Sequence, residues 1–288
     1  MCKNFVRAIL ASESPSVPSQ ATTDELYREK LLEPIRVCAK YKPAFGTAGR
    51  EEEIGLDGFK KLFGADPLYS WLGLDSPLMY AAHKAAGGMT SIYRQIGIGC
   101  ERLFRTVVQN QLQLDDEEVR WGYDVTTGSG DQAKKQRLTL DARIDQSHIT
   151  DAAASKRVAQ WLERATKAIQ LNNTKTLRGA VFEVRQGYKS ADSKRQNADL
   201  RYGIRAYDEG YLPVVLVFSN QVSSVVVQRY RDAKLLVLTG TLQDDDCKST
   251  YAFCENVVGY SLAGFFDRNA KALRGEMTGI LTALLSPQ

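Results

Sequence analysis

The sequence is poor in histidine and has no metal-binding cysteine pair. Its 288 residues include two histidines, His83 and His148, and five cysteines, no two of which have the C-x-x-C spacing. Zinc fingers, H-E-x-x-H metalloproteases and HNH-type nucleases all need residues that are missing here. The odd number of cysteines argues against a disulfide framework and favours reduced thiols in a reducing compartment.

Long apolar runs are also missing. No stretch approaches the roughly 18 uninterrupted apolar residues of a membrane helix. Residues 1–10 contain Lys3, Asn4 and Arg7 instead of the apolar run of a secretory signal. Glycine (22) and proline (8) are too few for a low-complexity chain. These absences predict a cytoplasmic protein with no membrane partner.

The remaining composition is that of a globular protein. Hydrophobic residues make up 43% and charged residues 25% of the chain, and the net charge of +4 permits a polyanionic partner without requiring one. A Ser-, Pro- and Thr-rich stretch predicts a flexible amino-terminal arm over 1–23. A single domain is predicted over 24–288, with a core at about 95–240 and a helical region at 247–285.

Hydrophobic periodicity predicts alternating helices and strands. Strand patterns lie at 119–125, 137–144, 177–185, 212–219 and 235–239, and the first two predict a hairpin. Helical patterns lie at 25–32, 77–86, 100–114, 151–171 and 192–207. This order predicts the α/β class, with a mixed central β-sheet flanked by helices.

Two carboxylates interrupt predicted apolar strands. Asp141 lies in the second hairpin strand and Glu183 in the strand that follows. A charged side chain inside an apolar strand is costly to bury unless a partner or a metal compensates it. Adjacent strands would bring the two together without a nearby histidine, which suits Mg²⁺. Arg185 would project from the same face as Glu183. Asp145 is a competing candidate on the face of Asp141.

These residues resemble the core of the PD-(D/E)XK nucleases, in which an aspartate is followed on the next strand by an acid, one residue and a lysine. Residues 187–199 and 210–219 resemble the core of type II restriction endonucleases. The run that begins at Lys194 is similar to the recognition segment of CCGG-cutting enzymes. The whole pattern, including 85–103, is most similar to ApaLI-type endonucleases.

The resemblance implies a restriction-endonuclease-like core in which Asp141 and Glu183 bind Mg²⁺ and Glu101 supplies a further acid from a helix. The chain departs from the family in two ways. Arg185 stands where lysine is usual and cannot shuttle a proton, which leaves Lys189 as an alternative cation. Leu140 replaces the proline of the motif.

A basic and amide-rich segment follows the predicted catalytic strand. Cations bind DNA phosphates, and Arg, Lys, Asn and Gln can bind base edges. The predicted DNA-binding residues are Lys189, Lys194, Arg195, Gln196, Asn197 and Arg201. Further phosphate contacts are expected from Lys134, Lys135 and Arg137. The alternative is a solvated helix face, because Asp192 and Asp199 are interspersed.

The function expected from the resemblance is that of a Mg²⁺-dependent type II restriction endonuclease acting on double-stranded DNA. ApaLI-type enzymes would imply the palindrome GTGCAC, and a palindromic site implies a two-fold homodimer. The apolar residues at the carboxy terminus would then form either a dimer surface or core; they are Phe265, Phe266, Leu273, Ile280 and Leu284. Three alternatives remain: a structure-specific repair or recombination nuclease, a DNA-binding protein without catalysis, and a scaffold that does not bind DNA.

Overall fold

A computed structural model describes residues 19–45, 52–127, 134–171, 176–187 and 193–286. The α-helices are α1 (Gln20–Arg36), α2 (Leu56–Gly64), α3 (Pro67–Trp71), α4 (Pro77–Leu112), α5 (Ala152–Ala168), α6 (Ser193–Asp208), α7 (Ser224–Asp232), α8 (Thr250–Phe253) and α9 (Leu262–Leu285). The strands are β1 (Ala44–Phe45), β2 (Glu52–Glu53), β3 (Trp121–Thr127), β4 (Lys134–Leu140), β5 (Ala142–Asp145), β6 (Gly179–Arg185), β7 (Tyr211–Val217) and β8 (Leu236–Leu238).

The central sheet has four strands in the order β5, β6, β7, β8. Strand β6 is antiparallel to β5 and parallel to β7, which in turn is parallel to β8. Strands β3 and β4 pair as an antiparallel hairpin, with Trp121 opposite Leu140. The predicted α/β class, with a mixed sheet flanked by helices, is confirmed. In the part of the chain that the structure describes, every helix is too short or too polar to span a bilayer.

Side-chain alternation along the central strands assigns the two faces of the sheet to different helices. In β6, Phe182 and Val184 pack in the same cluster as residues of α4 and α5, whereas Val181 packs with residues of α6 and α7. Because successive side chains of a strand point to opposite faces, Glu183 and Arg185 share the face of Val181. The fold therefore directs both residues toward α6 and α7.

Residues 77–112 form one long helix, so the prediction of two helices separated by glycines is wrong. The glycines of α4 allow close packing and do not end the helix. A Cβ at Gly99 would lie 2.3 Å from the carbonyl oxygen of Leu31, and a Cβ at Gly88 would lie 2.6 Å from the side chain of Leu284. Helices α1 and α9 approach α4 at these two positions.

Helix α1 begins earlier than the sequence indicated. Ser19 is its amino-terminal cap, and its side chain accepts a hydrogen bond from the Thr22 N–H. Asp24, which precedes the helical pattern at 25–32, is instead buried inside the helix and accepts two hydrogen bonds from Arg268. The arm predicted over 1–23 thus includes helical residues, and positions 1–18 lie outside the described residues.

The carboxy-terminal apolar residues belong to the core. Phe265, Ile280 and Leu284 are buried, and Phe266 and Leu273 are partly buried against the core clusters. They pack within the chain, so the core interpretation of these residues is confirmed. The buried Phe265, Ile280 and Leu284 are not available to a dimer surface, and the homodimer itself stays a prediction.

Candidate active site

Asp141 is fixed to the backbone on both sides of Glu183. Its N–H donates to the Phe182 carbonyl oxygen at 3.1 Å, and its Oδ2 accepts from the Val184 N–H at 2.7 Å. Asp141 lies at the break between β4 and β5, and not within a continuous strand as the sequence indicated. The break frees its side chain to turn toward β6, which brings the two predicted carboxylates together.

Arg185 joins Glu183 to a third carboxylate. Its Nη1 lies 2.5 Å from Oε1 of Glu183, and its Nη2 lies 3.1 Å from Oδ1 of Asp199 in α6. The other oxygen of Asp199 accepts a hydrogen bond of 2.6 Å from the Tyr230 hydroxyl of α7. The prediction that Arg185 shares a face with Glu183 is confirmed. Asp199, which accepts a hydrogen bond from Tyr230, thus holds the Nη2 end of the Arg185 guanidinium, and Glu183 holds the Nη1 end.

Helix α4 contributes a further acid and a further cation. Glu101 lies in the middle of α4, and not at a first turn as the sequence indicated. It acts on Glu183 through its charge, since it is among the groups that raise the pKa of the Glu183 carboxyl. One helical turn later, Nε of Arg105 donates to the Asp141 carbonyl oxygen at 2.6 Å. Both side chains of α4 therefore act on the predicted carboxylate pair.

Burial is the largest influence on the pKa values of the two predicted metal ligands, Asp141 and Glu183. It raises the pKa of Asp141, and the Val184 N–H and Arg185 offset part of this effect. Burial also raises the pKa of Glu183 to about 8; Arg185 opposes the shift, and the charges of Asp141 and Asp199 add to it. The site thus concentrates negative charge where water cannot solvate it fully. A bound cation would relieve this cost.

Asp141 and Glu183 offer the carboxylate oxygens that a hard divalent cation prefers. Four carboxylates act on this region, and two arginines contact it. Each carboxylate offers oxygen ligands. The four residues are Glu101, Asp141, Glu183 and Asp199. Val184 engages one oxygen of Asp141 and Arg185 engages one oxygen of Glu183. Mg²⁺ commonly uses one or two protein carboxylates and completes its shell with water. Asp141 and Glu183 are the pair that would hold it, because Arg185 and Tyr230 engage both oxygens of Asp199.

The competing aspartate has a structural role. Asp145 ends β5 and is buried, where Oδ1 accepts from the Ser147 N–H and hydroxyl and Oδ2 accepts from the Tyr211 hydroxyl at 2.7 Å. Arg178 lies 3.4 Å from the same Oδ2. Burial raises the pKa of Asp145, but the hydrogen bonds from Tyr211 and Ser147 outweigh it and lower the pKa overall. Asp145 is thus already satisfied by protein groups.

The predicted DNA-binding residues are only partly described. Gln196 is buried in α6 and Asn197 is exposed, and both accept hydrogen bonds from Arg229 of α7. Arg201 is exposed, and its Nε donates to the Asn197 carbonyl oxygen. Lys189 lies outside the described residues, and so do the side chains of Lys194, Arg195, Lys134 and Lys135. Arg137 lies 3.5 Å from Asp124 across the hairpin.

Sequence reasoning missed four residues of this region. Asp199 was interpreted as part of a solvated face, and the contacts of Arg105, Arg229 and Tyr230 were not expected. A signal for Asp199 was present, because it lies three residues before Tyr202 on the stripe of α6 that is buried. A carboxylate on such a stripe needs a buried partner, which here is Arg185.

A second acidic group lies elsewhere, before α8. Asp245, Asp246 and Cys247 place potential ligand atoms within 4.8 Å of one another. Arg164 pairs with Asp246 at 2.6 Å and Lys248 with Asp245 at 2.8 Å, so nearby cations balance both charges. Burial raises the pKa of the Cys247 thiol to about 12, which disfavours the thiolate that binds metals. This group is therefore a weaker candidate metal site.

The raised pKa of Glu183 has a consequence for stability. The folded protein holds the Glu183 proton more tightly than the unfolded chain does, so the resulting stabilisation is present at low pH and is lost as pH rises toward 8. In EDTA we expect the wild type to lose on the order of 3 kcal/mol between about pH 5 and 9 through this group. Thermal unfolding across that range measures the loss.

Glu183→Gln is the variant that isolates this effect, because it removes the ionisable group at nearly constant shape. It should flatten the decline in stability, whereas Glu163→Gln on the exposed face of α5 should leave the decline unchanged. An equal slope in the wild type and Glu183→Gln would show that Glu183 does not titrate in this range.

Comparison with protein-family models, with curated proteins and with solved structures found no match to this chain. The functional assignment therefore depends on the residues and their geometry.

Proposed function

We propose that this protein is a Mg²⁺-dependent type II endonuclease with a restriction-endonuclease-like core, which hydrolyses phosphodiester bonds of double-stranded DNA at a short palindromic site. The observation that carries the proposal is the attachment of Asp141 to both backbone neighbours of Glu183. An aspartate at the break between β4 and β5 thus lies beside a glutamate of β6, which is followed two residues later by a cation on the same face. The GTGCAC palindrome implied by the ApaLI-type resemblance stays part of this proposal.

Asp141 and Glu183 would hold Mg²⁺, which when bound activates water and neutralises charge that develops on the phosphate. The pair suits this task because both carboxylates are largely shielded from water and lack full compensation by the protein. Glu101 adds to the negative field from α4. Arg105 positions Asp141 by binding its carbonyl oxygen.

Arg185 takes a different role from the usual lysine. A guanidinium stays protonated, so Arg185 cannot accept a proton from the attacking water. Its side chain is 14% exposed and is held between Glu183 and Asp199. In this position it would bind a non-bridging oxygen of the scissile phosphate. Lys189 remains the alternative cation.

The surface that would meet DNA includes α6. Asn197 and Arg201 are exposed on the helix that also carries Asp199 to the active site. An exposed arginine can bind phosphate, and an amide can contact a base edge. Cutting both strands of a palindrome further requires two copies of the site, which a two-fold homodimer supplies.

Digestion of a long DNA of known sequence, with Mg²⁺ or with EDTA, tests the proposal. Discrete fragments that appear only with Mg²⁺ are expected, and their ends give the recognition site. Cleavage of branched or damaged DNA without sequence preference would instead indicate a repair or recombination nuclease.

A DNA-binding protein without catalysis is the second candidate, and the arginine at position 185 is the observation that favours it. This candidate predicts binding that weakens as salt rises, with intact DNA under every metal tested. A protein that neither cleaves nor binds DNA would contradict both proposals. That result would favour a protein that does not act on DNA.

A further inference from the structure

Helix α3 is apolar, yet its own chain does not bury it. Residues 64–73 are all exposed, although they include Leu68, Trp71 and Leu72. The Leu72 N–H donates to the Leu68 carbonyl oxygen at 3.1 Å, so the helical turn continues to Leu72. Residues three and four positions apart lie on one side of a helix, and these three side chains therefore share a face. Trp71 is 81% exposed, which leaves most of its ring system in water.

The neighbouring elements add further exposed apolar side chains. The stretch from α2 to the first turn of α4 holds six of the fifteen large hydrophobic side chains that are exposed in the described part of the chain, so exposed apolar surface is concentrated here. The six residues, named the α3 patch below, are Leu62, Leu68, Tyr69, Trp71, Leu72 and Leu78. Tyr69 is tied to α2, because its ring stacks on Phe63 with the centroids 5.0 Å apart.

The α3 patch is larger than the exposed apolar patch of an ordinary monomer. Its six residues expose on the order of 700 Å², against about 300–600 Å² for the largest patch of a typical monomer. A standard protein–protein interface buries about 800 Å² on each partner, so the α3 patch with its immediate surroundings has the area that a stable contact needs. Tryptophan is enriched among the residues that dominate binding in such interfaces, which points to Trp71.

The charges around the α3 patch are mixed in sign. Residues 56–78 contain two lysines, Lys60 and Lys61, and three aspartates, among them Asp66 and Asp75. A surface for DNA or for anionic lipid needs an excess of cations, which this stretch lacks. Both signs on one surface suit a second copy of that surface, because a two-fold axis can place the lysines of one copy opposite the aspartates of the other.

We propose that two copies of this chain associate through the α3 patch, with Trp71 as the main contact residue. The choice of a second copy rests on the proposed function, because cutting both strands of a palindrome requires two sites. The buried apolar residues of α9 are not available for this contact. The contact is isologous, so each copy presents the same patch to the other.

The proposed contact lies away from the candidate metal ligands. Leu78 and Glu101 both belong to α4 and are separated by about 35 Å along the axis of that helix. Substitutions in the α3 patch therefore test association separately from metal binding and cleavage.

Sedimentation velocity of the full chain, without DNA or added metal, tests the inference. The wild type is expected to sediment at micromolar concentration as a dimer of the 32.0 kDa chain. Trp71→Ser should raise the dissociation constant at least about 100-fold, because it removes the ring from both copies, and Leu72→Ser should raise it about tenfold. Both variants should keep the circular dichroism spectrum of the wild type, since each side chain is exposed within one chain.

Leu242→Ser is the matched control. Leu242 is 82% exposed and lies between β8 and α8, outside the α3 patch, so its loss should leave the dissociation constant unchanged. An effect of Leu242→Ser equal to that of Leu72→Ser would contradict a specific contact at the patch.

Two further results would overturn the inference. A dimer that persists in Trp71→Ser and Leu72→Ser uses another surface. A wild type that is monomeric at the same concentration does not cover the patch with a second copy, and its flotation with phosphatidylcholine vesicles would assign the patch to a lipid surface. Because the measurement contains no DNA, it is independent of the digestion experiment. Site-specific cleavage by a chain whose association ignores Trp71 rejects the interface alone, and a dimer that depends on Trp71 but leaves DNA intact rejects the nuclease alone.

Discussion

We expect Asp141→Asn to lower the proposed Mg²⁺-dependent DNA cleavage about 1,000-fold, and Glu183→Gln to do the same, because each removes half of the carboxylate pair that would hold the metal. The expected loss corresponds to about 4 kcal/mol of transition-state stabilisation. Asparagine keeps an oxygen that can accept from the Val184 N–H, so the local fold persists. Cleavage rates at saturating DNA, measured over a Mg²⁺ titration, check the prediction.

Two other aspartates serve as controls for this result. Asp208→Asn removes an exposed carboxylate from the end of α6 and should change the rate less than twofold. Asp145→Asn should lower the melting temperature, because it weakens the buried contacts with Arg178 and Tyr211, but it should retain cleavage. Loss of cleavage in Asp145→Asn with full activity in Asp141→Asn would move the metal site to the other end of β5.

Arg185→Met should destabilise the protein by about 3 kcal/mol near pH 9, because ionised Glu183 and Asp199 lose their shared cation while largely shielded from water. For a protein of this size the melting temperature should fall by about 6–12 °C. The deficit should shrink as pH falls below about 8, because Glu183 gains a proton and no longer needs the cation. Melting curves at pH 9 and at pH 6 measure both effects.

Arg185→Lys and Arg205→Met define the specificity of this effect. Lysine retains the charge but cannot hold both carboxylates with a planar fork, so we expect a smaller loss of stability. Arg205→Met removes an exposed guanidinium from α6, the helix that carries Asp199. It should alter the free energy of unfolding by less than about 0.5 kcal/mol. A loss in Arg205→Met equal to that in Arg185→Met would show that charge near α6, and not the buried pair, is responsible.

The central sheet was predictable because its strands carry strong local signals. Strands β6 and β7 are apolar runs, and their buried side chains explain why the pattern was visible in the sequence. Helix α7 was missed because it contains three consecutive valines, which intrinsically favour strands. Burial of Val226 and Tyr230 against the sheet supplies the stability that local propensity does not.

The candidate site was predictable only in part. Asp141 and Glu183 stood out as charges inside apolar segments, and that contrast is a property of the sequence. Arg105 and Asp199 lie in helices with other polar residues, so only their neighbours in space distinguish them from solvated residues. The continuity of α4 was hidden for a related reason: glycine in a sequence favours a turn, but here it makes room for α1 and α9.

The connection between β5 and β6 also determines when the candidate site can form. These strands are antiparallel neighbours, yet the chain between them includes all of α5 and not a tight turn. Closing a loop of this length lowers the conformational entropy of the chain before the contacts between the strands can form. Topologies with such connections therefore fold slowly. Asp141 and Glu183 therefore meet only after a long-range step of folding, and an incompletely folded chain lacks the candidate metal-binding pair.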